Sequence, residues 1–596
     1  MKRTFFAVAI LIGLTACGGS SSGGDEPIPT PSTDVNEVTS VTQVNSNIYV
    51  NLTTDKAIYS PGDVVTFTAD NLPSGTTKIR YRNNTDVIAT ASMTSKTWTW
   101  TAPSTDGTGY MVDLYQTGTD GSETIVGSIA VDVSSSWKLF PRYGFVSNYG
   151  SDKTASQTAN EMDWLNRCHI NGVQFYDWHY KHHWPLGGTR DNPLDSYTDI
   201  ANRTIYRSSI QNYITAQHAH GMKAMFYNLC YGALKDASTD GVKTEWYAYK
   251  DKSHTNLDFL SMAESWKSDI FLMDPSNTEW QAYMAQRNDD VYHNYDFDGY
   301  HIDQVGDRGS RYTYDGTSIN MPSAFAAFIK AMKAKHSGKS LVMNAVGGYG
   351  DQQIAGTGDV DFLYNEVWGN QDQFKDLLTI IKANNTYSSN TLKTVFAAYM
   401  NYNKSNGTFN TPGVLLTDAI MFALGGSHLE LGGDHNLCSE YFPTSRLTMP
   451  TSLRTQLTSY YDFMTGYENL LRGSIGTENN SLAIASSTHK FNAWEPKTGY
   501  INYYCKQIGA KQVIHLFNML NANGTSWRDI DGTMPSPTEQ KSIKLTISYT
   551  TKINKIWVAS PDYIGGVPQE LTFKQSKGTV TFTIPSLKYW DMIVIQ

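Results

Sequence analysis

Between Pro141 and Leu431, short apolar stretches alternate with longer segments of helical length, and this alternation limits the possible folds more than any other feature. Such alternation indicates parallel strands joined by helical crossovers. Eight stretches within roughly 300 residues predict a (β/α)8 barrel. We expect its strands at residues 142–146, 172–177, 222–228, 297–303, 340–344, 361–366, 394–400 and 428–431. Segment 234–280 is too long for one crossover, so we expect it to form an excursion over the barrel mouth.

Alternating strand patterns flank this region on both sides. Residues 45–135 contain runs such as Val64-Val65-Thr66-Phe67-Thr68, separated by turn signals such as Ser60-Pro61-Gly62-Asp63. Short strands at this spacing are typical of an immunoglobulin-like β-sandwich. The alternation returns in residues 481–596, as in Ile543-Lys544-Leu545-Thr546-Ile547. The predicted fold class is therefore multidomain α/β plus β, with a central TIM barrel over residues 136–480 between two β-sandwiches.

The first 17 residues have the pattern of a lipoprotein signal peptide. Lys2 and Arg3 precede an apolar run that is too short to span a bilayer, and Leu14-Thr15-Ala16-Cys17 resembles a bacterial lipobox. We expect cleavage before Cys17, lipidation of its thiol, and a flexible tether over residues 18–44. Together with the early acidic pair Asp25-Glu26, this predicts a surface-exposed outer-membrane lipoprotein of a Gram-negative bacterium. An ordinary signal peptide with a chance cysteine is the alternative.

Charge and composition limit the partners. The net charge of −9 argues against nucleic acid, because duplex-binding proteins present a basic face. Aromatic residues make up 12% of the chain and offer the flat apolar faces on which sugars stack, although β-rich secreted domains are also rich in tyrosine. Four further cysteines lie far apart and lack zinc-site spacing, so we predict no metal and no other cofactor; they are Cys168, Cys230, Cys438 and Cys505. Two states of these cysteines remain open, one disulfide or four free thiols. We also expect the protein to be a monomer.

Two of the predicted strands stop at a carboxylate, Asp303 and Glu366. Carboxylates at the C-terminal ends of barrel strands point into one shared cleft, and a pair of them is what a glycoside hydrolase needs. A strand-end acid taken alone is more often a cap or a loop hydrogen bonder than a catalytic group. Trp368 shares a strand face with Glu366 and should raise its pKa, which suits a general acid. His301 and Gln304 give Asp303 polar neighbours, which suits an ionised nucleophile.

Other strand ends are rich in polar and aromatic residues, which we interpret as substrate contacts. They are Tyr176, Asp177 and His179 after the second strand, Asn228 and Tyr231 after the third, Asn344 on the fifth, and His428 and Glu430 on the eighth. The last two are separated by one residue, so on a strand both point the same way, which in a barrel mouth is towards ligand. His182 and His183 are adjacent and would face opposite ways, so they chelate one ion poorly.

Five blocks, in this order along the chain, resemble glycoside hydrolase family 66. They are Phe175-Tyr176-Asp177-Trp178-His179-Tyr180, Tyr227-Asn228-Leu229-Cys230-Tyr231-Gly232-Ala233, His301-Ile302-Asp303-Gln304, Asn365-Glu366-Val367-Trp368 and Gly426-Ser427-His428-Leu429-Glu430-Leu431-Gly432. That family contains endo-dextranases and cycloisomaltooligosaccharide glucanotransferases. The resemblance implies an immunoglobulin-like domain, a (β/α)8 barrel and a C-terminal β-sandwich. It also implies retention on α-1,6-linked glucan, with the nucleophile at Asp303 and the acid/base at Glu366.

The resemblance favours endo-hydrolysis of dextran to isomaltooligosaccharides. Cyclising family members carry a carbohydrate-binding module inserted in the barrel, and no segment here is long and β-rich enough to be one. Three alternatives stay open: a non-catalytic glycan-binding lipoprotein of the cell surface, a transglycosylating or cyclising glucanotransferase, and a retaining α-glycosidase of another linkage specificity. A binding protein would account for the anchor and the aromatic residues, but not for two strand-end acids.

Overall fold

The computed structural model describes residues 41–44, 50–435, 437, 439–440, 446–473, 476–479 and 481–596. Its centre is a barrel of eight parallel strands, each followed by a helix. The strands are Tyr143–Val146 (β1), Gly172–Phe175 (β2), Lys223–Leu229 (β3), Gly299–Asp303 (β4), Ser340–Val346 (β5), Leu363–Glu366 (β6), Thr394–Ala397 (β7) and Gly426–His428 (β8). The helices are Ala155–Arg167 (α1), Arg207–Ala219 (α2), Thr278–Asn294 (α3), Met321–Lys335 (α4), Asp351–Ala355 (α5), Phe374–Tyr387 (α6), Thr411–Leu424 (α7) and Thr451–Gly466 (α8).

The strands pair in chain order, and the segment after β8 bridges back to β1, so the sheet is nearly closed. Phe145 in β1 donates its N–H to the Leu431 carbonyl at 3.1 Å and bridges to Gly432 just after β8. Seven of the eight predicted stretches contain the observed strand or overlap most of it. The eighth differs, because β8 spans Gly426–His428 and the chain has left the strand by Glu430.

Along each strand, successive side chains point alternately into the barrel interior and out towards the helices. In β4, Tyr300 points outward to Phe328 on α4, whereas His301 points inward and stacks between Tyr143 and Tyr227. Helices begin at recognisable caps; the Asn320 side chain, for example, accepts the Ser323 N–H at the start of α4. An aromatic barrel core thus lies below the polar ends of the strands.

Two pairs of β-sheets precede and follow the barrel in the chain. The first pair has five strands (Val41–Val44, Glu123–Val133, Thr108–Thr117, Lys78–Asn83 and Asp86–Ser92) facing three (Asn51–Thr54, Val64–Asp70 and Thr97–Thr101). The second has seven (Thr477–Glu478, Phe491–Ala493, Tyr500–Ile508, Lys511–Met519, Trp590–Ile595, Ile556–Ala559 and Gln569–Glu570) and four (Ile484–Ala485, Gln540–Ser548, Thr579–Leu587 and Phe573–Ser576). The all-β character expected on both sides is present, and the domain boundaries given above stay predictions.

Arg142, just before β1, connects these parts of the chain. Its side chain is fully buried and donates to Asp132 of the first sheet pair at 2.5 Å, to Glu468 after α8 at 3.1 Å and to the His169 carbonyl. A buried charge needs paired, hydrogen-bonded partners, and here three separate segments supply them. The base of the barrel is therefore held together with the preceding β-sheets.

The excursion between β3 and α3 contains short strands, Gly232–Ala233, Phe259–Leu260 and Ile270–Leu272, and two short 3-10 helices, Ala237–Asp240 and Thr244–Trp246. Asp258 within it is buried and accepts hydrogen bonds from Arg308 and Arg311, which follow β4. The Tyr231 hydroxyl, at the start of the excursion, accepts the Val305 N–H at 3.1 Å. The excursion is thus attached to the loop that follows Asp303.

Two further expectations concern the ends and the thiols. Cys17, the signal peptide and residues 18–40 of the predicted tether lie outside the described residues, as does Cys438. The end of that tether differs from the prediction, because Val41–Val44 form a strand that pairs with Glu123–Val133. Cys168, Cys230 and Cys505 are buried free thiols. Within the part of the chain that the structure describes, no helix has the length and apolarity required to cross a membrane.

Candidate active site

Asp303 and Glu366 meet at the C-terminal mouth of the barrel. Each is the last residue of its strand, and Asn344 lies on β5 between them. The Asn344 side-chain amide donates to Asp303 Oδ1 at 2.8 Å and to Glu366 Oε2 at 3.0 Å, so these two oxygens lie at most 5.8 Å apart. One neutral amide thus limits the separation of the two carboxyl groups.

A tyrosine holds the other oxygen of each acid. The Tyr227 hydroxyl, from β3, donates to Asp303 Oδ2 at 2.6 Å. The Tyr399 hydroxyl, just after β7, donates to Glu366 Oε1 at 2.9 Å. The pair therefore sits in a frame of neutral donors, and the described residues show no ion pair to either acid.

The environment separates the acidities of the two groups in the manner that acid catalysis requires. Burial, followed by the neighbouring Asp303 charge, raises the pKa of Glu366 to about 7 from its ordinary 4.5. Burial also raises the pKa of Asp303, but its hydrogen bonds from Tyr227 and Asn344 oppose that shift. Burial lowers the pKa of His301 to about 3, so this ring is neutral. Glu366 is the group that can hold a proton near neutral pH.

The two acids lie in a cavity of about 230 Å³. Seven of the thirteen site residues that the sequence predicts for the barrel line it: Tyr176, His301, Asp303, Gln304, Asn344, Glu366 and Trp368. Within this group Gln304 also orders the following loop, since its side chain contacts the Asn344 and Tyr349 carbonyls and the Gly306 N–H.

Four predicted residues lie behind the cavity wall. Asn228 is on the opposite face of β3 from Tyr227 and binds His182. The His179 ring lies against the His182 ring, with centroids 4.4 Å apart and planes tilted by 40°. Asp177 is buried, with a backbone φ of 42°, and its carbonyl accepts a hydrogen bond from Arg203. Tyr231 supports the loop after Asp303, as described above.

His428 and Glu430 do not point into the barrel mouth, which corrects the prediction. His428 Nδ1 lies 2.9 Å from Asp418 of α7, and Glu430 accepts a hydrogen bond from Tyr461 of α8 at 2.9 Å. The two side chains do point the same way, but outward, because Leu429 between them packs in the barrel interior with Tyr143 and Val395. Both residues lie between the barrel and the helices.

The sequence reasoning missed several cavity residues. Tyr227, Tyr399, Tyr364 and Gln174 line the cavity, and all four lie on or directly after barrel strands. Strand alternation could have found Tyr227 in place of its neighbour Asn228. Arg528, from a segment beyond the barrel, could not have been found: its guanidinium lies 5.2 Å from the centre of the Trp368 ring and donates to the Val367 carbonyl.

Two clusters outside the cavity have the donor types of metal sites. Asp418, His428 and Glu430 form a buried one, and His183, Asp236 and Asp240 form a more exposed one. Burial raises the pKa of Asp418 to about 8, and burial with the Asp418 charge holds that of Glu430 well above its ordinary value.

Comparisons with known proteins identify the family of the chain. The sequence profile described as glycosyl hydrolase family 66 matches residues 54–594. A cycloisomaltooligosaccharide glucanotransferase of Niallia circulans is 28% identical over an alignment of 700 residues, covering 91% of this chain and 71% of the relative. A dextranase of Streptococcus salivarius is 24% identical over 589 residues, covering 86% of this chain and 71% of the relative.

A solved structure shares the fold. The cycloisomaltooligosaccharide glucanotransferase of a Paenibacillus species, crystallised with cycloisomaltoheptaose, superposes with a TM-score of 0.84 at 26% identity. The superposition covers 93% of this chain and 100% of that one. The family profile spans the barrel and nearly all of both flanking β regions. The chain belongs to glycosyl hydrolase family 66.

Proposed function

We propose that this protein is a retaining, endo-acting glycoside hydrolase that cleaves α-1,6 linkages of dextran, with Asp303 as nucleophile and Glu366 as acid/base. The bridge that Asn344 forms between the two carboxyls carries this proposal. It limits their nearest oxygens to 5.8 Å. Retaining enzymes place the two groups about 5–5.5 Å apart, whereas the inverting range begins at roughly 6.5 Å to leave room for a water.

The reaction follows from the surroundings of each acid. Asp303 attacks the anomeric carbon and forms a glycosyl ester, while Glu366 gives its proton to the departing glycosidic oxygen. Glu366, now ionised, takes a proton from a water that attacks the same carbon and releases Asp303. Two inversions leave the product in the α configuration.

The substrate assignment rests on the relatives. The names of the aligned proteins refer to dextran and to cyclic isomaltooligosaccharides, both built of α-1,6-linked glucose. Trp368 and Tyr176 give the cavity aromatic walls against which sugar rings can pack. An endo mode is supported by the position of the cavity at an open strand end, where the middle of a polymer can enter.

Incubation with dextran, pullulan and starch tests the proposal. We expect linear isomaltooligosaccharides from dextran, α-anomers first in proton NMR, and a fall in viscosity before much reducing sugar appears. Asp303→Asn should lose turnover by several powers of ten while its thermal unfolding is unchanged. β-Anomers appearing first would contradict double displacement, glucose alone would contradict the endo mode, and absence of any product would favour a binding protein.

Transglycosylation is the second candidate, because the glucanotransferase aligns at higher identity than the dextranase. One observation favours hydrolysis, because cyclising members of the family carry an inserted carbohydrate-binding module that this chain is expected to lack. The 700-residue alignment covers 91% of the 596 residues here, so the glucanotransferase contains more than a hundred residues with no counterpart in this chain. Mass spectrometry separates the two, since a cyclic product is lighter than its linear equivalent by one water.

We also propose that Cys17 carries a lipid and places the enzyme on the outer membrane. The lipobox-like Leu14-Thr15-Ala16-Cys17 supports this location. Cys17→Ala should move the protein from the membrane fraction to the soluble fraction or block its processing. Unchanged fractionation would contradict the lipid anchor.

A further inference from the structure

Asp418, His428 and Glu430, named here the α7–β8 cluster, bring three ligand atoms together in the interior. One atom from each side chain lies within 4.8 Å of the other two. His428 Nδ1 is 2.9 Å from Asp418 Oδ1 and 3.4 Å from Glu430 Oε2. All three residues are at most 2% exposed.

The hydrogen bonds of the imidazole fix where its proton lies. His428 Nε2 is 2.8 Å from the Ala398 carbonyl, which can only accept, so Nε2 carries a hydrogen. In a neutral ring Nδ1 is then a lone pair, and it faces two carboxylate oxygens. Asp418 Oδ2 is also buried, with no hydrogen-bond partner among the described residues. His428 Nδ1 and oxygens of both carboxyl groups therefore converge, and protons or a cation must lie among them.

Charge balance admits two ways to neutralise the cluster. A single proton on Nδ1 would leave a buried net charge of −1, which is costly away from water. Two protons or one divalent cation bring the net charge to zero. In the described part of the chain, no lysine or arginine forms an ion pair with either carboxylate.

A second cluster in the same protein has its negative charge neutralised by a lysine. His183, Asp236 and Asp240 have the same donor types, but there Lys181 Nζ lies 2.7 Å from both Asp236 and Asp240. The lysine supplies the positive charge, so this cluster needs no ion. The two clusters therefore share donor types and differ in whether a lysine pairs with the carboxylates.

We propose that the α7–β8 cluster binds one divalent metal ion of the zinc class. Zinc bonds to histidine nitrogen and carboxylate oxygen at about 2.0–2.2 Å, which spaces ligand atoms roughly 3–3.6 Å apart. The two nitrogen–oxygen distances within the cluster, 2.9 and 3.4 Å, are close to that spacing. Calcium is a poorer match, because it prefers six to eight oxygen ligands. The ion would revise the expectation of a metal-free chain.

The position of the site gives the ion a structural role. It would fasten β8 to α7, and His428 would transmit that constraint to the Ala398 carbonyl, directly before Tyr399. Because Tyr399 donates to Glu366, the ion would help to position that acid from outside the cavity. The inference does not depend on the proposed reaction.

The experiment uses the purified full-length chain. After exchange into metal-free buffer it is mixed with excess zinc chloride or calcium chloride and passed through a desalting column, and bound metal is measured by mass spectrometry. We expect one zinc per chain, no retained calcium, and a higher thermal midpoint with zinc. The Asp418→Asn, Glu430→Gln double variant should retain no zinc and should not respond to it.

Two controls make the outcome decisive. Asp240→Asn alters the lysine-compensated cluster and should still retain one zinc, as should Asp303→Asn. A wild-type chain that retains no zinc and shows no thermal response would overturn the proposal in favour of two bound protons. Loss of zinc in Asp240→Asn, or its retention in the double variant, would overturn it by placing the ion elsewhere.

Discussion

Asn344, Tyr227 and Tyr399 are the three side chains that hold the acid pair, and each tyrosine contacts a different acid. Asn344 contacts both, so it sets their distance, whereas the tyrosines can set their acidities separately. This division predicts different consequences for variants that remove a single hydroxyl.

Tyr399→Phe and Tyr227→Phe should shift opposite limbs of the pH profile. The Tyr399 hydrogen bond lowers the pKa of Glu366, so its removal should raise that pKa above about 7 and move the alkaline limb of kcat/KM to higher pH. The Tyr227 hydrogen bond lowers the pKa of Asp303, so its loss should move the acid limb to higher pH. Each limb reports an apparent pKa that belongs to the coupled pair of acids. Identical shifts in the two variants would contradict separate control.

Glu366→Gln should remove proton donation while leaving the nucleophile in place. Hydrolysis of dextran should fall by several powers of ten, because its leaving group needs a proton, whereas an activated aryl glycoside should suffer less in the first step. Added azide should restore turnover of the aryl substrate, since an anion needs no base. Equal losses on both substrates, with no azide effect, would assign the acid role to another residue.

The residue-level errors have two physical origins, strand geometry and long-range contact. Asn228 and Tyr227 are adjacent, and a strand sends neighbours to opposite faces, so choosing the wrong one of two polar side chains loses the contact to Asp303. The carboxylates themselves were predictable because each ends an apolar run. Arg528 was not, since a contact between segments about 160 residues apart leaves no local pattern.

Among the elements, the eight strands were predictable because buried parallel strands are continuous apolar runs. The last strand was misplaced by two residues, since Gly426 and Ser427 are not apolar. The excursion was recognised by its length alone. Its attachment through Asp258 depends on two arginines about 50 residues away, which no local spacing indicates.

Asp258→Asn should loosen the excursion. The change leaves Arg308 and Arg311 without their shared charge partner, so limited proteolysis within residues 234–280 should become several-fold faster. Asp289→Asn is the control, because its ion pair with Arg190 is exposed, with side chains 39% and 34% accessible. Equal protease resistance in the two variants would show that the Asp258 contacts do not hold the excursion.

For the whole molecule, Arg142 should matter more to stability than its distance from the cavity suggests. Arg142→Ala leaves Asp132 and Glu468 buried without this partner, and breaking a buried pair costs about 3–5 kcal/mol. Arg190→Ala, at the exposed pair, should cost at most about 1 kcal/mol. Urea unfolding followed by tryptophan fluorescence measures both. A loss for Arg142→Ala no larger than that for Arg190→Ala would contradict this role.

Arg528 lies over Trp368 although it belongs to a segment that follows the barrel by many residues. Mutations that accumulate in this segment are therefore exposed to selection on catalysis as well as on folding. A lineage could alter which glucan it consumes by exchanging a loop outside its barrel, with both acids unchanged. For the same reason, a chimera that joins this barrel to the C-terminal region of a relative should inherit part of the relative's substrate preference.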